Sequence, residues 1–187
     1  MQAQHHSKMV VELNSSTKTI RTQQEITFFN QSNDTLTSIV LNDWNNAYSD
    51  KNTPLAKRFS DEFYRGFHLA KEEERGSTTN ISILDTNKMD LSWERTEKNP
   101  DLIEIKLKEK LLPKQKITLF LSYLTKIPSD KFTKYGYNSN GVITLKNWFL
   151  TPARYENHQF IRYSNINLDD IDNATTSFQI ELKIPKT

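Results

Sequence analysis

Apolar and polar residues alternate along most of this chain. Val11 and Leu13 fall on one side of an extended segment, and Val10 and Glu12 on the other, which predicts a short strand. The turn formers Asn14-Ser15-Ser16-Thr17 follow. Beyond them Ile20, Thr22, Gln24, Ile26 and Phe28 alternate with Arg21, Gln23, Glu25 and Thr27, completing a hairpin. The polar run Asn30-Gln31-Ser32-Asn33-Asp34 ends it, and Ile39, Val40 and Leu41 supply a third strand rich in β-branched residues. The same period returns at Ile81/Ile83, Leu91/Trp93, Ile103/Ile105/Leu107, Ile117 through Tyr123, and Phe178/Ile180/Leu182/Ile184. Strands with one apolar and one polar face imply antiparallel sheets. No strand–helix repeat is present, which excludes a doubly wound nucleotide-binding fold.

One segment breaks the pattern. Thr53-Pro54 pairs a side-chain cap with a first-turn proline, and Leu55, Phe59, Phe63 and Phe67 then recur every four residues up to Gly76. This predicts one amphipathic helix, an insertion over about residues 53–75 with all four apolar side chains buried. The expected fold is therefore all-β, an antiparallel saddle-like or sandwich domain with one inserted α-helix.

Composition narrows the class without naming a chemistry. At 187 residues the chain can bury a real core, and a single domain over residues 9–187 is the default. Twenty-five basic and 23 acidic residues leave a net charge of +2, so the overall balance does not imply a nucleic-acid partner. With no cysteine there is no disulfide framework, thiolate metal site or cysteine nucleophile. No run of residues is long and apolar enough for a membrane span. Residues 1–8, including His5 and His6, read as a disordered polar tail of the kind left when a signal peptide is removed, which points to an exported protein.

Candidate catalytic groups are few. His68 and Glu72 stand four apart on the expected helix, a spacing that suits metal ligation but equally a solvated helix end. His158 is isolated in a polar loop. None of the four glycines brackets a serine as in a nucleophile elbow, and none builds a phosphate-binding loop. The adjacent acids Asp169-Asp170 and Glu72-Glu73-Glu74 fit surface positions or helix caps. Five Asn-x-Ser/Thr sequons, at Asn14, Asn30, Asn33, Asn80 and Asn173, fit chance products of an asparagine-rich composition. No metal ligands and no catalytic residues are assigned within the chain.

A resemblance carries the functional reading. The stretch from Gly136 to Pro185 contains a glycine loop leading into a strand, the segment Asn147-Trp148-Phe149-Leu150, a polar loop from Tyr155 to Phe160, the Asp-rich link Leu168 to Asp172, and a last strand Phe178 to Pro185. In this order the pieces resemble the end of the N-terminal β domain of aminopeptidase N-like (gluzincin) zinc metallopeptidases. Val10 to Leu41 is similar to that domain's opening hairpin and following strand. Leu41 to Ser49 with Asn52 to Lys57 looks like a bacterial variant carrying a helical insertion. Leu150 stands where proline is common, and Asn147 where a glutamine often points at substrate.

The resemblance implies a non-catalytic N-terminal domain that packs on the parent's own catalytic domain and walls the cleft for a peptide substrate. The zinc, its H-E-x-x-H ligands and the Gly-x-Met-Glu-Asn motif would belong to that other domain, and Asn147 would be the one substrate-binding residue here. The alternative is a free-standing β-sandwich carbohydrate-binding or adhesion module, with Trp44, Trp93, Trp148 and Tyr155 as stacking aromatics.

Overall fold

The alternation becomes two packed sheets in the computed structural model of the chain, which describes residues 4–96, 98–166 and 171–184. The strands are β1 (His5–Asn14), β2 (Thr19–Phe29), β3 (Leu36–Asn42), β4 (Ser77–Leu84), β5 (Trp93–Glu94), β6 (Leu102–Leu111), β7 (Lys116–Lys126), β8 (Gly136–Tyr137), β9 (Ile143–Thr144), β10 (Thr151–Pro152), β11 (Tyr155–Glu156), β12 (Gln159–Phe160) and β13 (Thr176–Lys183). The larger sheet has the order β13-β1-β2-β7-β4, the smaller β10-β3-β6-β5, and β11-β12 and β8-β9 are two-stranded ribbons. The pairs are antiparallel except β1 with β13, which run parallel from His5↔Thr176 to Glu12↔Lys183.

Burial follows the sequence period. On β2, Ile20, Thr22, Gln24, Ile26 and Phe28 are buried and the residues between them are not. Ile26, Phe28, Ile83, Leu119 and Leu121 of the larger sheet belong to one core with Ile39, Leu41, Ile103 and Ile105 of the smaller. Each such side chain contributes about 1.5–3 kcal/mol relative to an exposed one. The smaller sheet covers only part of that inner face. Met9, Val11 and Ile20 are covered instead by the helical insertion and by Phe132, Tyr135 and Trp148, in a second core.

Residues 5–8 depart from the expected tail. They form the first half of β1, held between β2 and β13, so their backbone groups are paired on both sides. The His5 ring stacks on Phe28 with centroids 4.5 Å apart, and its Nδ1 accepts the Phe29 backbone N–H at 3.2 Å. Gln24 Nε2 donates to Ser7 Oγ at 2.8 Å. Polar residues fill inward positions here, so an apolar period could not reveal the strand.

Burying His5, which is only 2% exposed, costs its charged form, and desolvation lowers its pKa from the ordinary 6.5 to about 4. An accepting Nδ1 also has no room for a proton. The folded pKa is depressed below the unfolded one, so the unfolded chain binds more protons between the two values. The associated stability is present above pH 6.5 and is lost as pH falls toward 4. Urea unfolding should show a loss of about 2 kcal/mol between pH 7.5 and 5 that His5→Phe abolishes. An equal slope in the variant would assign the loss to other groups.

The helical insertion is broken rather than continuous. Helix α1 spans Pro54–Asp61, α2 spans Gly66–Leu69, and a 3-10 turn covers Glu72–Glu74. Thr53 caps α1 as expected, its Oγ1 accepting the Ala56 N–H at 3.2 Å. At the other end Phe63 adopts φ 60°. Its N–H reaches the Ser60 carbonyl and the Tyr64 N–H reaches the Phe59 carbonyl, the two bonds of a Schellman stop. The accompanying apolar contact is the Phe59–Tyr64 ring pair, with centroids 5.4 Å apart. This turn throws Phe63 out to 91% exposure, while Leu55, Phe59 and Phe67 are buried as the period predicts.

Candidate functional site

Gly136 starts the segment that leads to Asn147. Its φ is 130°, and a Cβ there would lie 2.3 Å from the Pro128 carbonyl oxygen, so the close approach of β8 to residues 128–130 requires glycine. After the short β9 the chain is irregular from residue 145 to residue 150. Asn147 therefore sits in a loop and not at the end of a long strand. Its φ of 48° is left-handed, a conformation asparagine tolerates better than most residues.

The Asn147 side chain is half-buried and its amide bonds to no described residue. It lines a cleft of about 20 Å³ with Trp44, Tyr48, Thr133, Tyr135 and Asn165. That space holds a water molecule and no more. Next to it, Trp148 is buried in the second core, and the Phe149 ring bridges Trp148 and Phe178 at centroid distances of 5.1 and 5.0 Å.

Behind the cleft lies a dense polar network built on residues 42–46. Asp43, 1% exposed, accepts from Thr78 Oγ1 at 2.7 Å and pairs with the Arg95 guanidinium at 2.5 Å. Trp44 Nε1, Asn42 Nδ2 and Thr151 Oγ1 all donate to Asn173 Oδ1, at 2.9, 3.0 and 2.7 Å. Asn45 Nδ2 donates to the Ser77 and Lys126 carbonyls, and its Oδ1 accepts from Tyr135. Asn46 Nδ2 donates to the Pro100 carbonyl at 2.7 Å. Desolvation pushes the Asp101 carboxyl up, against the Ser164 hydroxyl and Asn165 N–H that donate to it at 2.6 Å each. Asn165 Oδ1 is buried without a hydrogen-bond partner among the described residues, beside the cleft; the other bonds named here are made inside the protein and fix loops to sheets.

The remaining candidates are engaged elsewhere. His68 Nε2 meets Ser60 Oγ at 2.7 Å and the Ala56 carbonyl at 2.9 Å, and Glu72 lies beyond the break in the helix, so the two do not share one helical face. His158 and Tyr155 both bond Asp34, at 2.9 and 2.8 Å. These bonds hold the Asp34 carboxyl below the usual carboxylate range, the Tyr155 contribution being the larger. Glu74 pairs with Lys131 and accepts the Lys71 N–H. Asp169-Asp170 lie outside the described residues. Among the described residues no three His, Asp or Glu side chains come together as a metal cluster.

The four aromatics of the carbohydrate reading form no stacking platform: Trp44 and Trp148 are buried, and Trp93 and Tyr155 pack against the first core. Of the sequons, Asn30 is buried with its Nδ2 donating to the Asp34, Leu111 and Leu112 carbonyls, and the Asn173 amide is the hub described above.

No family model matches the chain. No curated protein matches it. Among solved structures it is similar to an M1 zinc metallopeptidase from Deinococcus radiodurans, at 14% identity and a TM-score of 0.38 over 67% of this chain and 20% of that one. It is also similar to a mutant M1 zinc metallopeptidase from the same organism bound to a Tyr-Ser-Ala substrate, at 12% identity and a TM-score of 0.45 over 98% of this chain and 32% of that one. The chain thus spans between a fifth and a third of the length of these structures.

Proposed function

We propose that this chain is the non-catalytic N-terminal β domain of a zinc aminopeptidase, packing on a separate catalytic domain and walling the peptide cleft. The sequence from Gly136 to Pro185 supports the reading, and one structural observation carries it. In the register of β1 with β13, Ser7 stands beside Phe178, Met9 beside Ile180 and Val11 beside Leu182. Met9 and Val11 are 3% and 0% exposed, yet Phe178, Ile180 and Leu182 on the same face are 42%, 46% and 45% exposed, and Ile184 is 65% exposed. The inner face of the larger sheet thus continues past its cover, and a contiguous apolar patch of this kind marks a protein contact.

The test compares two contexts. Ile180→Asp with Leu182→Asp should cost this chain alone under about 1 kcal/mol in urea unfolding. In a polypeptide that also carries the zinc domain, the same pair should lower the thermal midpoint and the peptidase activity together. Equal effects in both contexts would overturn the reading.

Asn147 is the residue we assign to the peptide's amino end. Asn147→Gly keeps the left-handed backbone and removes only the amide. In the two-domain protein it should lower kcat/KM about tenfold at an unchanged thermal midpoint. Unaltered kinetics would leave Asn147 as a backbone solution for its loop.

A further inference from the structure

The net charge of +2 conceals a strongly one-sided stretch. Residues 106–116, across the turn between β6 and β7, hold five lysines and one glutamate. Lys106, Lys108 and Lys110 alternate along β6, and all five lysines are exposed. Only Lys106 and Lys108 have carboxylate neighbours among the described residues, Glu94 at 3.6 Å and Asp85 at 4.0 Å.

A second turn lies beside this one. The hairpin loop after β4 and the β6–β7 turn flank one trough of about 590 Å³, lined in part by Asp85, Met89, Lys108, Lys110 and Lys116. Both turns place a lysine where glycine or asparagine would cost less. Lys88 has φ 61° and Lys114 has φ 64°. Both are also held rigidly. Asp85 Oδ1 accepts the Asn87 and Met89 N–H groups. Buried Asn30 clamps the other turn, its carbonyl accepting the Lys114 N–H and its own N–H reaching the Gln115 carbonyl. Beside each left-handed lysine an apolar side chain points outward, Met89 at 57% exposure and Leu112 at 49%.

We propose that this end of the β domain docks on an anionic lipid bilayer, with Met89 and Leu112 entering the headgroup layer and the lysines meeting the lipid phosphates. Lysines supply long-range attraction to an anionic surface, and apolar tips add a term that a soluble polyanion cannot satisfy. Neither turn contains an arginine, the residue suited to bidentate phosphate recognition on nucleic acid. The acids nearby, Asp85, Asp90, Glu94 and Glu109, are fewer than the six lysines, and Asp85 is occupied by its own turn.

Co-sedimentation with phosphatidylcholine vesicles, with and without phosphatidylglycerol as roughly a third of the lipid, tests the assignment. The whole chain should bind the anionic vesicles and not the neutral ones, and should be released in about 0.5 M salt. Lys110→Gln, Lys114→Gln and Lys116→Gln together should lower partitioning about a hundredfold, at roughly fivefold per lysine. Met89→Asp with Leu112→Asp should lower it severalfold with circular dichroism unchanged. Retained binding in either variant, equal binding to neutral vesicles, or equally tight binding to duplex DNA would overturn the proposal.

Discussion

Phe67→Ala should lower the unfolding free energy by about 3–5 kcal/mol, whereas Phe63→Ala, four residues earlier, should change it by under about 1. Phe67 is fully buried, with the rings of Tyr48, Phe59 and Phe132 at centroid distances of 6.4, 5.5 and 5.2 Å and the Arg75 guanidinium over its face at 5.9 Å. Truncation would leave a cavity walled by large side chains that cannot close in. Phe63 touches mainly solvent, and alanine in its left-handed conformation would be no worse placed. Urea unfolding of the two variants at neutral pH measures both, and comparable losses would mean that the helix runs on through residue 63.

Asp43→Ala should be similarly costly, about 3–5 kcal/mol, because it strands a mostly buried guanidinium and the Thr78 hydroxyl. The damage should be largely electrostatic. Adding Arg95→Met should therefore restore more than half of the loss, since a buried charge with no partner is worse than no charge. A double variant as unstable as the sum of its parts would show that Asp43 acts through Thr78 and the loop backbone instead.

The sequence shows most where side chains are apolar and alternate. Strands β2, β6 and β7 appear in it directly, since their inward residues are the ones that partition away from water. It shows β1 only in part, because His5 and Ser7 point inward and are satisfied by Phe28, Phe29 and Gln24 from the next strand. The break in the helical insertion is hidden for a different reason. A four-residue apolar period cannot tell a buried Phe67 from an outward Phe63, and the left-handed stop at Phe63 uses none of the usual glycine or asparagine. Asn147 is visible only through the resemblance. The buried network of Asp43, Asn45, Asn46 and the distant Asn173 is written in polar residues that any composition rule assigns to the surface. Its meaning depends on partners as remote as Asp43 and Arg95 or Asn42 and Asn173.

The parallel pairing of β1 with β13 sets a timetable for folding. His5 meets Thr176 across 171 positions of sequence, so β1 gains its outer neighbour only after that intervening stretch has been made. At about 5–20 residues per second, ribosomal synthesis leaves that edge open for roughly 10–30 seconds. Meanwhile β1 can pair with β2, its hairpin partner, but exposes a row of unmatched N–H and C=O groups on the other side. The nascent protein is then most open to wrong strand partners, and a chaperone or β13 itself must reach that edge first.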